Sequence, residues 1–270
     1  MRQNDANYLE VILGPIRVSA NYQPKFGRGQ GTGLSLQQFR ELYQKDPFYS
    51  WFGLDNPLMY AAHKSAGGMT SVYRQIGIGC ERLFRHVLQD ALGLSLEAVN
   101  WTYEVTGANR KKRTLYLDGR VPLSEITDKE ARQRFYDWMK ESAADLGVNK
   151  KIFDALTGTI FEVRQGYKSK DSKRQNADIS NAATAYIKGY LPCAAILSMQ
   201  IDTDILERYR AEKWAVLTGS IGLNDPLRST YDFMREIIGY DLAAFFERNK
   251  KMLHTEIDNV LRALLTPEVK

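Results

Sequence analysis

Between residues 70 and 199 the spacing of apolar side chains alternates between the period of a helix and the period of a strand, and this alternation restricts the fold more than any other feature. After Gly67-Gly68, Thr70 or Ser71 can cap a helix whose apolar positions Val72, Ile76, Leu83, Phe84, Val87 and Leu88 recur at helical spacing and which ends near Gly93. Two strand-like runs, 99–106 and 114–121, flank Gly107-Ala108-Asn109 and the cluster Arg110-Lys111-Lys112-Arg113, which reads as a hairpin with a basic tip. A helix over 128–146 stops at Gly147, and 159–164 reads as a strand. A polar stretch leads into a helix over about 174–188 and then a buried strand over 193–199. A short helix and strand follow at 205–210 and 214–217, and 230–265 is mostly helical. The order predicts an α/β fold, a central mixed sheet flanked by helices, with helical additions at both ends. We expect a single domain, divided into an N-terminal region 1–69, a core 70–218 and a C-terminal region 219–270.

Composition narrows the class. At 270 residues, 44% hydrophobic and 26% charged, the chain can bury a core, which excludes a disordered protein. Its two cysteines, Cys80 and Cys193, lie in apolar stretches outside any CxxC or Cys/His cluster, which excludes a disulfide scaffold and argues against structural zinc. Met1 to Asp5 lacks the basic start and apolar core of a signal peptide, and no window reaches the roughly 18 apolar residues of a membrane span. The expectation is a cytoplasmic protein with no membrane partner. Residues 14–33, with Pro15, Pro24 and the run Gly27 to Gly33, read as a flexible basic loop. The run fits neither GxGxxG nor GxxxxGK[ST], so no nucleotide cofactor is expected. His63, His86 and His254 are scattered without metal-ligand spacing, and the aromatic residues of 39–60 read as packing between short helices.

Acidic residues occupy informative places in this order. Asp118 lies near the end of the second strand and Glu162 on the third. Two carboxylates from neighbouring strands can share Mg²⁺, which prefers hard oxygen ligands and keeps several waters beside one or two carboxylates. Glu162 stands in an otherwise apolar strand, where a charge is costly unless it is paired or bound to metal. Arg164 shares its face, because side chains at i and i+2 of a strand point the same way. Beyond the strand come the cations Lys168, Lys170, Lys173 and Arg174, then the amides Gln175 and Asn176. Lysine and arginine anchor phosphates, while arginine, glutamine and asparagine read base edges.

Asp118 in Tyr116-Leu117-Asp118-Gly119-Arg120 and Glu162 in Phe161-Glu162-Val163-Arg164, in this order of elements, resemble the core of the PD-(D/E)xK nuclease superfamily over roughly residues 70–200, and the size suggests a type II restriction endonuclease. The resemblance implies a restriction-endonuclease-like fold and Mg²⁺-dependent, sequence-specific hydrolysis of double-stranded DNA by a homodimer. It implies Asp118 and Glu162 as metal ligands, with Glu81 on the first core helix supporting them. Arg164 stands where the family has lysine, and since arginine stays charged it can stabilise charge but not take a proton. We therefore expect Arg164 with Lys168 at the attacked phosphate, and Lys170, Lys173, Arg174, Gln175 and Asn176 against DNA. The alternatives are a sequence-specific DNA-binding protein that does not cut, and a nuclease of the same superfamily acting in repair or mobile-element processing.

Overall fold

A computed structural model describes residues 4–26, 32–106, 112–166 and 182–266. These fall into two compact units, one formed by Met1–Gly79 with Arg248–Lys270 and the other by Cys80–Glu247.

In the first unit, α1 (Asp5–Val18) buries Tyr8, Leu9, Ile12, Leu13 and Ile16. Residues 14–18, expected in a loop, belong to this helix, because Leu13 and Ile16 extend its buried face past Pro15. The short helices α2 (Leu36–Gln44) and α3 (Pro47–Trp51) start from Ser35 and Asp46 side chains that accept backbone N–H groups. Packing accounts for Phe39 and Tyr60, which are fully buried, but Phe48, Trp51 and Phe52 face solvent. The long helix α4 (Pro57–Leu92) begins at Asn56, whose Oδ1 accepts from Met59 N at 3.0 Å. It does not begin near Thr70. Gly67 and Gly68 are not breakers: a Cβ at Gly67 would strike the Tyr22 ring and one at Gly68 the Leu264 side chain. The glycines are notches in a continuous helix, into which neighbouring side chains fit. The last helix, α11 (Leu242–Leu265), reaches this unit at Arg248, which pairs with Asp5 at 2.9 Å.

The second unit is built on a four-stranded mixed sheet flanked by helices. From Cys80 onward α4 is followed by α5 (Leu96–Val99), then the antiparallel ribbon of β1 (Trp101–Thr106) and β2 (Lys112–Leu117). The expected strand 114–121 is two strands, because the chain turns at Asp118 and β3 (Gly119–Pro122) enters the larger sheet. Helix α6 (Lys129–Asp145), capped by Asp128, and α7 (Lys150–Phe153) precede β4 (Gly158–Arg164). Residues 182–187 are helical (α8) and lead to β5 (Tyr190–Ile196), which starts and ends three residues earlier than expected. Then come α9 (Thr203–Ala211), β6 (Ala215–Leu217), α10 (Thr230–Asp232) and a π-helical turn, Phe233–Ile238. The strand order is β3-β4-β5-β6, with β3 antiparallel to β4 and the other pairs parallel.

β4 is buried along its whole length, as a strand covered on both faces must be. On one face the Phe161 ring meets Phe84 of α4 at 5.1 Å and Phe233 at 5.7 Å, and lies parallel to Trp138 of α6. On the other, Ile160 packs with Trp101, Tyr103, Leu117 and Ala185, while Ala194 and Ile196 join Ala182, Ile205, Tyr209 and Trp214. Burying some ten large apolar side chains at roughly 1.5–3 kcal/mol each is what offsets the chain entropy of ordering the sheet. The α/β architecture with a helix-flanked mixed sheet is as expected. No described helix is long and apolar enough to cross a membrane.

Candidate functional site

Asp118 sits where the chain leaves one sheet for the other. Its backbone N–H donates to the Phe161 carbonyl at 2.9 Å, and Gly119 is paired with the same Phe161. Two consecutive residues thus face one, the arrangement of a β-bulge, which re-aims the side chain at the bulge. The result is specific. Asp118 Oδ2 accepts the backbone N–H of Val163 at 2.8 Å, so the residue grips β4 immediately before and immediately after Glu162. Gly119 lies close under α4: a Cβ there would stand 3.6 Å from Leu88, Phe84 and Phe161. From α4, Arg85 Nη1 donates to the Asp118 carbonyl oxygen at 3.0 Å. Sequence reasoning missed Arg85, although it lies one helical turn beyond Glu81 and therefore on the same side of α4.

Glu162 and Arg164 share the face of β4 that carries Ile160, and they form an ion pair with side chains only 7% and 10% exposed. Their partners across the parallel ladder are Ala194 and Ile196. A buried carboxylate among apolar neighbours requires such compensation, and the guanidinium supplies it. Arg164 is the last residue of β4, and its carbonyl accepts Leu197 N at 2.8 Å just after β5 ends. The pair therefore lies at the carboxyl ends of parallel strands, where open α/β sheets place their ligand sites.

Glu81 is half-buried on α4 and raises the pKa of the adjacent Cys80 thiol, which burial above all pushes up to about 12. Among the described residues no three His, Cys, Asp or Glu side chains converge to hold a metal ion, so Glu81 forms no three-carboxylate cluster with Asp118 and Glu162. Lys168, Lys170, Lys173, Arg174, Gln175 and Asn176 lie outside the described residues, as do Arg110 and Lys111 of the expected basic hairpin tip.

The chain was compared with protein-family models, curated proteins and solved structures. None of the three gave a match.

Proposed function

We propose that the protein is a type II restriction endonuclease of the PD-(D/E)xK kind, hydrolysing phosphodiester bonds of double-stranded DNA at a specific short sequence with Mg²⁺. The observation that carries this reading is the grip of the bulged Asp118 on the β4 backbone on both sides of Glu162, near the carboxyl end of a parallel strand. Two hard-oxygen donors from adjacent strands suit Mg²⁺, and Asp118 and Glu162 would hold it. The ion would supply a nucleophilic water and neutralise charge on the phosphodiester. The water oxygen bonds to phosphorus, a P–O bond of the diester breaks, and a phosphate monoester and a hydroxyl remain. Arg164 keeps its proton throughout and stabilises the negative charge that grows on the phosphate oxygens. Lys168 assists from the segment that follows β4. Lys170, Lys173, Arg174, Gln175 and Asn176, in the same segment, make the contacts to DNA. Cutting both strands of a palindromic site calls for a two-fold pair of these centres, hence a homodimer in the cytoplasm.

The test is incubation of the purified protein with a long, fully sequenced unmethylated DNA in Mg²⁺ and in EDTA, followed by sequencing of fragment ends. Discrete Mg²⁺-dependent fragments with a common end sequence are expected, and Glu162→Gln should abolish them. One observation favours a second reading, a DNA-binding protein that does not cut: the Glu162 carboxylate is engaged by Arg164. Intact DNA together with salt-sensitive band shifts would establish that reading instead.

A further inference from the structure

Strand β3, which follows Asp118, also contributes to a separate cavity. It measures about 860 Å³ and is lined by Glu97, Asn100, Trp101, Thr102, Arg120 and Lys188, among others. Arg120 Nε donates to the Ala98 carbonyl at 2.7 Å and Nη2 to the Glu97 carbonyl at 3.1 Å. Two neutral acceptors fix the plane of the guanidinium without cancelling its charge, and an arginine has five N–H donors, so donors remain. Lys188, just past α8, is exposed. Among the described residues neither cation has a carboxylate partner. The Asn100 amide and the Thr102 hydroxyl are also exposed on this lining, and Glu97 contributes its one carboxylate. The cavity is therefore rich in donors and carries one net positive charge.

Its place in the sheet matters as much as its chemistry. Arg120 is paired with Ile160 of β4, and Ile160 shares a face with Glu162. A guanidinium held in one plane and an exposed ammonium on the same cavity lining match the oxygens of a phosphate, the first by forked hydrogen bonds and the second as a point charge.

We infer that this cavity binds a phosphate group, and that on DNA it holds a backbone phosphate other than the one cleaved. Only the source of the phosphate rests on the nuclease reading. The first arm of the test titrates inorganic phosphate into the full-length protein by calorimetry. The second measures affinity for duplex DNA in EDTA over a series of salt concentrations. Both use Lys188→Gln, Arg120→Gln and, as a control, Lys150→Gln, whose lysine is ion-paired with Asp154 at 2.8 Å and lines a different cavity. Lys188 is exposed, so its replacement keeps the test sound even where loss of Arg120 disturbs α5.

Inorganic phosphate should bind the wild type and the control alike, and about tenfold more weakly to Lys188→Gln and Arg120→Gln. The magnitude of the DNA salt slope should fall by roughly 0.9 for each cation that no longer neutralises a phosphate. Phosphate binding that depends on both residues, with an unchanged DNA slope, would overturn the backbone assignment and leave a site for a free phosphate compound. No phosphate binding and no change of slope would overturn the inference altogether. A protein that neither cuts nor binds DNA, yet still takes up phosphate through Lys188, would remove the nuclease reading and keep this site.

Discussion

In the proposed function Asp118 has two roles that substitution can separate. Its carboxylate stands in the ladder where a backbone carbonyl would, accepting Val163 N–H, and in the proposed function its negative charge would also hold the metal. In Asp118→Asn the amide oxygen still accepts that N–H while the charge is gone. Urea unfolding should place this variant within about 1 kcal/mol of the wild type, with Mg²⁺-dependent cleavage down roughly 10³-fold. Asp118→Ala removes the acceptor as well and should be less stable by about 1–3 kcal/mol, the range for a buried N–H left without one. Equal stability of the two would show that the hydrogen bond to Val163 is dispensable. The Glu162–Arg164 pair invites a double-mutant cycle. Arg164→Met should cost about 3 kcal/mol, and combining it with Glu162→Gln should cost less than the sum of the two, because either single replacement already removes the ion pair.

At the scale of elements, helix α4 gives a prediction whose sign depends on one close approach. Gly77 has no atom within 4 Å of where a Cβ would stand, whereas at Gly79 a Cβ would lie 2.8 Å from the Ile12 carbonyl oxygen in α1. Gly77→Ala should therefore stabilise by up to about 1 kcal/mol, the intrinsic helical preference. Gly79→Ala should destabilise despite the same preference, since backbone must move. Thermal melts of both variants decide it. The same logic explains which elements were legible in the sequence. β4 and α6 follow directly from apolar spacing, whereas α9 starts two residues before the expected 205, because Asp202 caps it. Glu162 stands out because a charge in an apolar strand is anomalous, and Asp118 by its position relative to Glu162 in the order of elements. The start of α4 was misplaced because a glycine pair reads alike whether it breaks a helix or admits a neighbour, and the neighbours, Tyr22 and Leu264, are remote in sequence. The bulge was invisible for a related reason: Asp-Gly is a local turn signal, and only pairing with Phe161 gives it its geometry.

For the molecule as a whole, pH reports on the second unit. Tyr231 donates its hydroxyl to the Leu197 carbonyl and Tyr186 to that of Lys213, and burial raises both phenols, Tyr231 to about 12. A group whose pKa is higher folded than unfolded contributes stability that is complete below the unfolded value, near 10, and lost as pH climbs through the folded one. Unfolding followed by circular dichroism should show stability falling from about pH 10 to 12, and less steeply in Tyr231→Phe. A slope unchanged in that variant would remove Tyr231 as the cause. The two units also differ in how the chain supplies them. Cys80–Glu247 is one unbroken stretch, whereas the other unit needs both Met1–Gly79 and Arg248–Lys270, joined by Arg248 to Asp5 and by Glu256 to Arg17. On a ribosome, then, the sheet that carries Glu162 is fully synthesised while α1 still waits for its partner helix. The strands of that sheet are all present early in the life of the chain, and the helical unit is finished last.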